Sequence, residues 1–231
     1  MAADLDARLE QLAALGEPVR RALYRSVATA SDAVTREQAA AAVGVPQHTA
    51  KFHLDRLVAD GLLEAGYARP PGRGGPGAGR PAKVYRRSPT EVEVSLPERR
   101  YDLAGRLLVK AVTHAERTSL PVRDALDSVA REEGRAAGAA HRARRRGRAA
   151  TTEAVMDLLR SDGYEPLNEG DDIVLGNCPF HALAREETEL VCRMNLNYLD
   201  GLTDGIGATA LRAALDPADG RCCVRLHSEV Q

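Results

Sequence analysis

Tryptophan is missing from this 231-residue sequence and phenylalanine occurs only twice, so the core must be built mainly from Leu, Val and Ala. No run approaches the roughly 18 consecutive apolar residues of a membrane span, which excludes a helical anchor. The N-terminal MAADLDARLEQ is too acidic for a signal peptide, and the chain reads as a cytoplasmic protein. Cysteine is absent before Cys178 and no Cys-x-x-Cys pair occurs, which argues against a ribbon or treble-clef zinc site. The C-terminal part lacks a phosphate-binding glycine loop, a nucleophile–His–acid spacing and a paired-carboxylate motif, so nothing marks an enzyme.

A net charge of −1 conceals a strong asymmetry. Residues 47–87 hold eight Lys/Arg against three acids, and residues 97–148 hold thirteen against seven. From 149 to the end the balance reverses, with six Lys/Arg against fifteen acids. A basic part suited to polyanions is joined to an acidic C-terminal part.

The basic part is organised around Thr35–Arg87. Thr35 with Gln38 three residues later forms a capping box at the start of a helix. Gly44 sits where that helix would end in the left-handed region, and Pro46 where the next begins. The second helix is predicted from about Gln47 to Asp60. Its apolar positions Ala50, Leu54, Leu57 and Val58 recur at helical spacing and leave Gln47, His48, Lys51 and Phe52 on the outer face. Two helices joined by a tight glycine turn read as a helix-turn-helix, whose second helix enters the DNA major groove. Strands follow from Gly61 and over Ala82–Arg86. Between them, nine of the twelve residues 70–81 are Gly or Pro, and the loop carries Arg73 and Arg80. A hairpin with a slim, basic tip after a recognition helix is a wing, suited to a narrow minor groove.

Thr49-Ala50-Lys51-Phe52-His53-Leu54 and the wing resemble the winged helix of ArsR-type bacterial transcriptional regulators. The whole chain is most similar to the branch containing the SufR-type repressors of iron–sulfur biogenesis operons. The resemblance implies a dimeric protein that binds a double-stranded DNA operator and holds an iron–sulfur cluster in its C-terminal domain. The expected DNA contacts are Gln47, His48, Thr49, Lys51 and Phe52 from the helix, with Arg73, Arg80 and Lys83 from the wing.

Elsewhere the expected fold is α+β in three parts: a winged helix-turn-helix over 1–95, a helical linker or dimerisation region over 96–148, and a small antiparallel sheet with helices over 149–231. Leu5, Leu9, Leu12 and Leu15 stripe a first helix that either completes the winged-helix core or, as the resemblance favours, makes a homodimer contact. Pro18 opens a second helix, buried through Val19, Ala22, Leu23 and Val27. Val92, Val94 and Leu96 read as a short extended stretch. Helices are predicted from Pro97 to about Glu116 and from Pro121 into the arginine run 142–148, which reads as a solvated helix end. A threonine-capped helix, a hairpin, two more helices and strands over 211–215 and 222–227 complete the chain.

All four cysteines lie within 46 residues, spaced Cys-x13-Cys-x29-Cys-Cys. A disulfide framework is unexpected in a cytosolic chain. Small buried core cysteines are one reading. Thiolate ligands converging from three elements, as in iron–sulfur sites, are the other. Alternation on the last strand puts Cys222 with Val224 and Leu226, and Cys223 with Arg225 and His227. The segments around Cys178, Cys192 and Cys222-Cys223 resemble the cysteine segments of the SufR-type branch. The resemblance therefore implies Cys178, Cys192 and Cys222 as ligands to a 4Fe–4S or 2Fe–2S cluster, with Cys223 as an alternative at the doubled position. Where many relatives carry His-Pro between the first two cysteines, this chain has Glu187-Thr188. His181 is a candidate fourth ligand. A regulator responding to zinc or a small molecule, with structural cysteines, remains the alternative.

Overall fold

The computed structural model describes residues 2–68, 81–146 and 150–228. The chain divides into two compact units, Met1–Val94 and Ser95–Gln231.

The first unit opens with α1 (Ala2–Ala14) and α2 (Pro18–Ala28). Glu17 caps α2, its carboxylate accepting from the backbone N–H groups of Val19 and Arg20 at 3.0 and 2.5 Å. Helix α1 forms as its leucine spacing predicts, but the stripe is not sunk into the core: Leu9 and Leu12 are 38% and 40% exposed. Then come β1 (Val34–Thr35), α3 (Arg36–Val43), α4 (Gln47–Ala59), β2 (Leu63–Ala68) and β3 (Ala82–Arg87). The strands form an antiparallel sheet in the order β1-β3-β2, with β2 and β3 in register from Leu63 opposite Arg87 to Ala68 opposite Ala82. Leu23 and Val27 of α2 meet Ala50, Leu54 and Leu57 of α4 and Tyr85 of β3 in one apolar cluster. Val92 and Val94 form no strand; Val92 packs against this cluster instead.

The second unit comprises α5 (Tyr101–Thr118), α6 (Val122–Arg144), α7 (Thr152–Ser161), β4 (Pro166–Glu169), β5 (Asp172–Leu175), α8 (His181–Glu186), α9 (Thr188–Ile206), β6 (Leu211–Leu215) and β7 (Val224–Ser228). Its sheet is antiparallel in the order β4-β5-β7-β6. The mixed α+β class matches the expectation from sequence. The placing of α5 does not: it starts at Tyr101 rather than Pro97, because the preceding residues are bonded elsewhere. The Arg100 N–H donates to the Pro179 carbonyl at 3.1 Å, and the Arg99 guanidinium to the Cys178 carbonyl at 2.6 Å. Nor is the segment 96–148 a separate linker. Leu107 of α5 and Leu126 of α6 share one core with Leu158, Ile173, Leu199 and Leu226.

Helices α6 and α9 approach backbone to backbone. A Cβ on Gly134 or Gly138 of α6 would collide with the Tyr198 or Leu202 carbonyl of α9. One on Gly201 or Gly205 would strike the Arg131 or Arg135 carbonyl in return. Flanking charges close the seam: Arg131 pairs with Asp200 and, at 2.8 Å, with Asp204, while Arg193 reaches Asp127 and Asp124. This crossing fixes α9, the helix that carries Cys192.

Candidate nucleic-acid interface and cysteine centre

The helix-turn-helix is set by local bonds. The Gln38 N–H donates to Thr35 Oγ1 at 3.2 Å and the Thr35 N–H to Gln38 Oε1 at 2.8 Å, completing the capping box. Gly44 ends α3 at φ 76°, in the left-handed region. Helix α4 then presents Gln47, His48, Lys51 and Phe52 outward, with Thr49 half-buried and Ala50, His53, Leu54 and Leu57 inside. Phe52 is 65% exposed, an arrangement that packing within the unit does not explain.

Lys83, the expected wing cation, is already occupied. Its ammonium meets Asp55 Oδ1 of α4 at 2.6 Å and lies 5.2 Å from the centre of the Tyr85 ring. The Tyr85 hydroxyl donates to the same carboxylate oxygen at 3.2 Å, and Lys51 stands 3.5 Å from its other oxygen. Burial raises the Asp55 carboxyl, but the hydrogen bond and charge of Lys83 outweigh it and hold it below its ordinary value. The bond to Asp55 raises Lys83 in turn. Arg73 and Arg80 lie outside the described residues. Sequence reasoning missed Tyr67, which is 71% exposed on β2 directly opposite Lys83. In a chain with two Phe, six Tyr and no Trp, two aromatics this exposed in one winged helix are a usable signal.

In the second unit the three cysteine segments come together. Cys178 lies between β5 and α8, on a loop tied down by Asn177. The Asn177 side chain donates to the Gly163 carbonyl at 2.8 Å and accepts from the Glu165 N–H at 2.7 Å. The thiol of Cys222 meets that of Cys178. The Cys222 sulfur also accepts from Asn195 Nδ2 at 3.3 Å and from the Val224 N–H at 3.5 Å. Asn195 is held in that orientation by the buried Tyr164 hydroxyl, which donates to its Oδ1 at 2.5 Å. The hydrogen bond from Cys222, the Phe180 N–H and the Arg99 charge overcome burial and bring the Cys178 thiol down to about 7. The same bond and burial push Cys222 up. The lowered Cys178 thiol is the more readily ionised of the two, and thiolate is the form that ligates metals.

Cys192 and Cys223 form the second pair, joined as a disulfide across α9 and the approach to β7 with a Cα–Cα distance of 6.5 Å. The sequence reading does not expect a disulfide framework, and one bridge is present here. The tie also explains why β7 starts at Val224 rather than Cys222. Cys223 is drawn to α9, while Cys222 keeps the inward alternation with Val224 and Leu226. His181 is exposed, and its backbone N–H, at 3.1 Å from the Cys178 carbonyl, serves the turn. No three His, Cys, Asp or Glu side chains among the described residues are grouped to hold a metal ion. The thiol chemistry of Cys178 and Cys222 suits a thiolate-bound group, whereas Cys192 and Cys223 can offer thiolates only after reduction.

Residues 15–65, from the end of α1 into β2, match the family of helix-turn-helix domains. No curated protein and no solved structure matches the chain. Among the described residues no helix is long and apolar enough to cross a membrane. The match and the geometry of α3 and α4 together support a DNA-binding transcriptional regulator of helix-turn-helix type.

Proposed function

We propose that this chain is a repressor that binds its operator as a homodimer. In the reduced protein, Cys178, Cys192 and Cys222 hold an iron–sulfur cluster that sets operator affinity. The observation that supports the sensing half is that all four cysteines lie in the second unit and associate as two sulfur pairs, Cys178 with Cys222 and Cys192 with Cys223. When bound, the cluster supplies a centre that responds to iron supply and oxidants. The protein's own part is positional. Asn177 and Arg99 fix the Cys178 loop, Asn195 and Tyr164 aim an N–H at the Cys222 sulfur, and α9 carries Cys192. Cys223, paired with Cys192 when oxidised, competes with ligation.

A single winged helix reads few base pairs, so useful affinity requires two half-sites and a two-fold dimer. The exposed Leu9 and Leu12 of α1 are suited to such a contact. Selection from a random-sequence duplex pool tests the DNA-binding half. An inverted repeat should be enriched and bound by two chains. Gln47→Ala should lose about tenfold or more in affinity for it, since a good base contact is worth roughly 1–3 kcal/mol. Lys51→Ala should lower the salt slope by about one. No enriched sequence, or wild-type affinity in both variants, would remove these residues from the interface.

A further inference from the structure

Asp55 carries a role that neither the helix-turn-helix match nor the cysteine centre assigns. On α4, Lys51 and Asp55 are successive members of one outward stripe that begins at Gln47, spaced four residues apart. The stripe expected to face a polyanion therefore carries a carboxylate, which repels phosphates unless it is committed elsewhere. It is committed: Asp55 takes the Lys83 ammonium at 2.6 Å and the Tyr85 hydroxyl at 3.2 Å, both from β3. Tyr85 is buried and Lys83 half-buried, so this is the point at which the base of the wing is bonded to the recognition helix. Lys83 and Tyr85 lie two residues apart and so on the same face of the hairpin, and Tyr67 faces that side from opposite Lys83.

We propose that Asp55 is the positioning and specificity residue of the DNA-reading face: it ties the wing to the recognition helix and holds Lys83 off the phosphate backbone. The proposal rests on the DNA-binding reading. Two consequences separate it from a plain structural ion pair. Freeing Lys83 adds a cation that any duplex can use, which strengthens binding without regard to sequence. Releasing the wing base loosens the geometry on which sequence reading depends.

The test uses the full chain and a fluorescein-labelled duplex of random sequence, titrated over a range of salt. Asp55→Asn should bind this duplex several-fold more tightly than wild type, with a salt slope steeper by about one. Its preference for the selected inverted repeat over the random duplex should fall. Tyr85→Phe, which keeps the carboxylate and the lysine, should leave the random-duplex slope unchanged. Lys83→Ala should bind the random duplex less well, because Asp55 then keeps Lys51 alone as a nearby counter-charge. In the Asp55→Asn/Lys83→Ala double variant the gain should vanish. Unchanged or weaker random-duplex binding by Asp55→Asn, or a gain that survives removal of Lys83, would overturn the proposal. Wild-type protein that binds no duplex at any salt would instead sink the DNA-binding reading itself.

Discussion

Gly201→Ala should destabilise the second unit by about 3 kcal/mol or more, while Gly105→Ala should stabilise it by about 0.5–1 kcal/mol. Both glycines lie inside helices, and helix propensity alone favours alanine at each by up to about 1 kcal/mol. At Gly105 of α5 nothing stands within 4 Å of an added Cβ, so propensity decides. At Gly201 the methyl would collide with the Arg131 carbonyl. A backbone atom cannot rotate aside as a side chain can, so α6 and α9 must separate along their seam. That separation loosens the burial of Tyr198, Leu199 and Leu202 in the shared core. Overpacking therefore outweighs propensity. Gly134 and Gly201 are opposed in the same seam, so one separation relieves both, and the double alanine variant should cost less than the two single costs added. Urea unfolding followed by circular dichroism measures the four variants against wild type. A neutral or stabilised Gly201→Ala would mean the helices do not approach as described.

Cys178→Ser and Cys192→Ser should each abolish iron and sulfide uptake on anaerobic reconstitution, a complete loss of visible absorption. Each removes a sulfur from a site that offers few. Cys223→Ser should act differently. Its thiol is the disulfide partner of Cys192, so the variant should take up iron without prior reduction, whereas wild type should need a thiol reductant. Alkylation of the denatured, air-oxidised wild type should label Cys178 and Cys222 alone, and all four cysteines after reduction. Loss of uptake in Cys223→Ser but not in Cys192→Ser would exchange their roles. A colourless protein that binds zinc through the same residues would turn the reading to the zinc-responsive alternative.

The parts of this protein legible in its sequence are those fixed by neighbours in the chain. The Thr35–Gln38 box, the Gly44 stop and the outward face of α4 depend on bonds within a few residues, and each appears where the residue pattern puts it. Features set by distant partners were not legible. Pro97 reads as a helix start, yet α5 waits until Tyr101 because Arg99 and Arg100 are engaged by the Cys178–Pro179 turn. The Asp55–Lys83 bond joins residues on separate elements, so in the sequence Lys83 reads as a free wing cation. Cysteine spacing could identify the segments but not their pairing. The close crossing of α6 and α9 left a mark that apolar periodicity passes over: Gly-x-x-x-Gly in both helices, at 134–138 and 201–205. Asn195 and Tyr164 gave no signal, since a buried polar pair on an apolar helix face is recognisable only once the Cys222 sulfur stands beside it.

In the function proposed above, the cysteine centre controls a DNA-reading winged helix. In that reading a change at the cysteines would act through the spacing of the two recognition helices of a dimer, to which half-site binding is sensitive. The most direct measurement is a fluorescence anisotropy titration of the selected inverted repeat with cluster-loaded and cluster-free protein, at one salt concentration. The two dissociation constants should differ by at least about tenfold, a coupling of roughly 1.4 kcal/mol. Equal affinities for protein shown by iron and sulfide analysis to be loaded in one sample and empty in the other would contradict it.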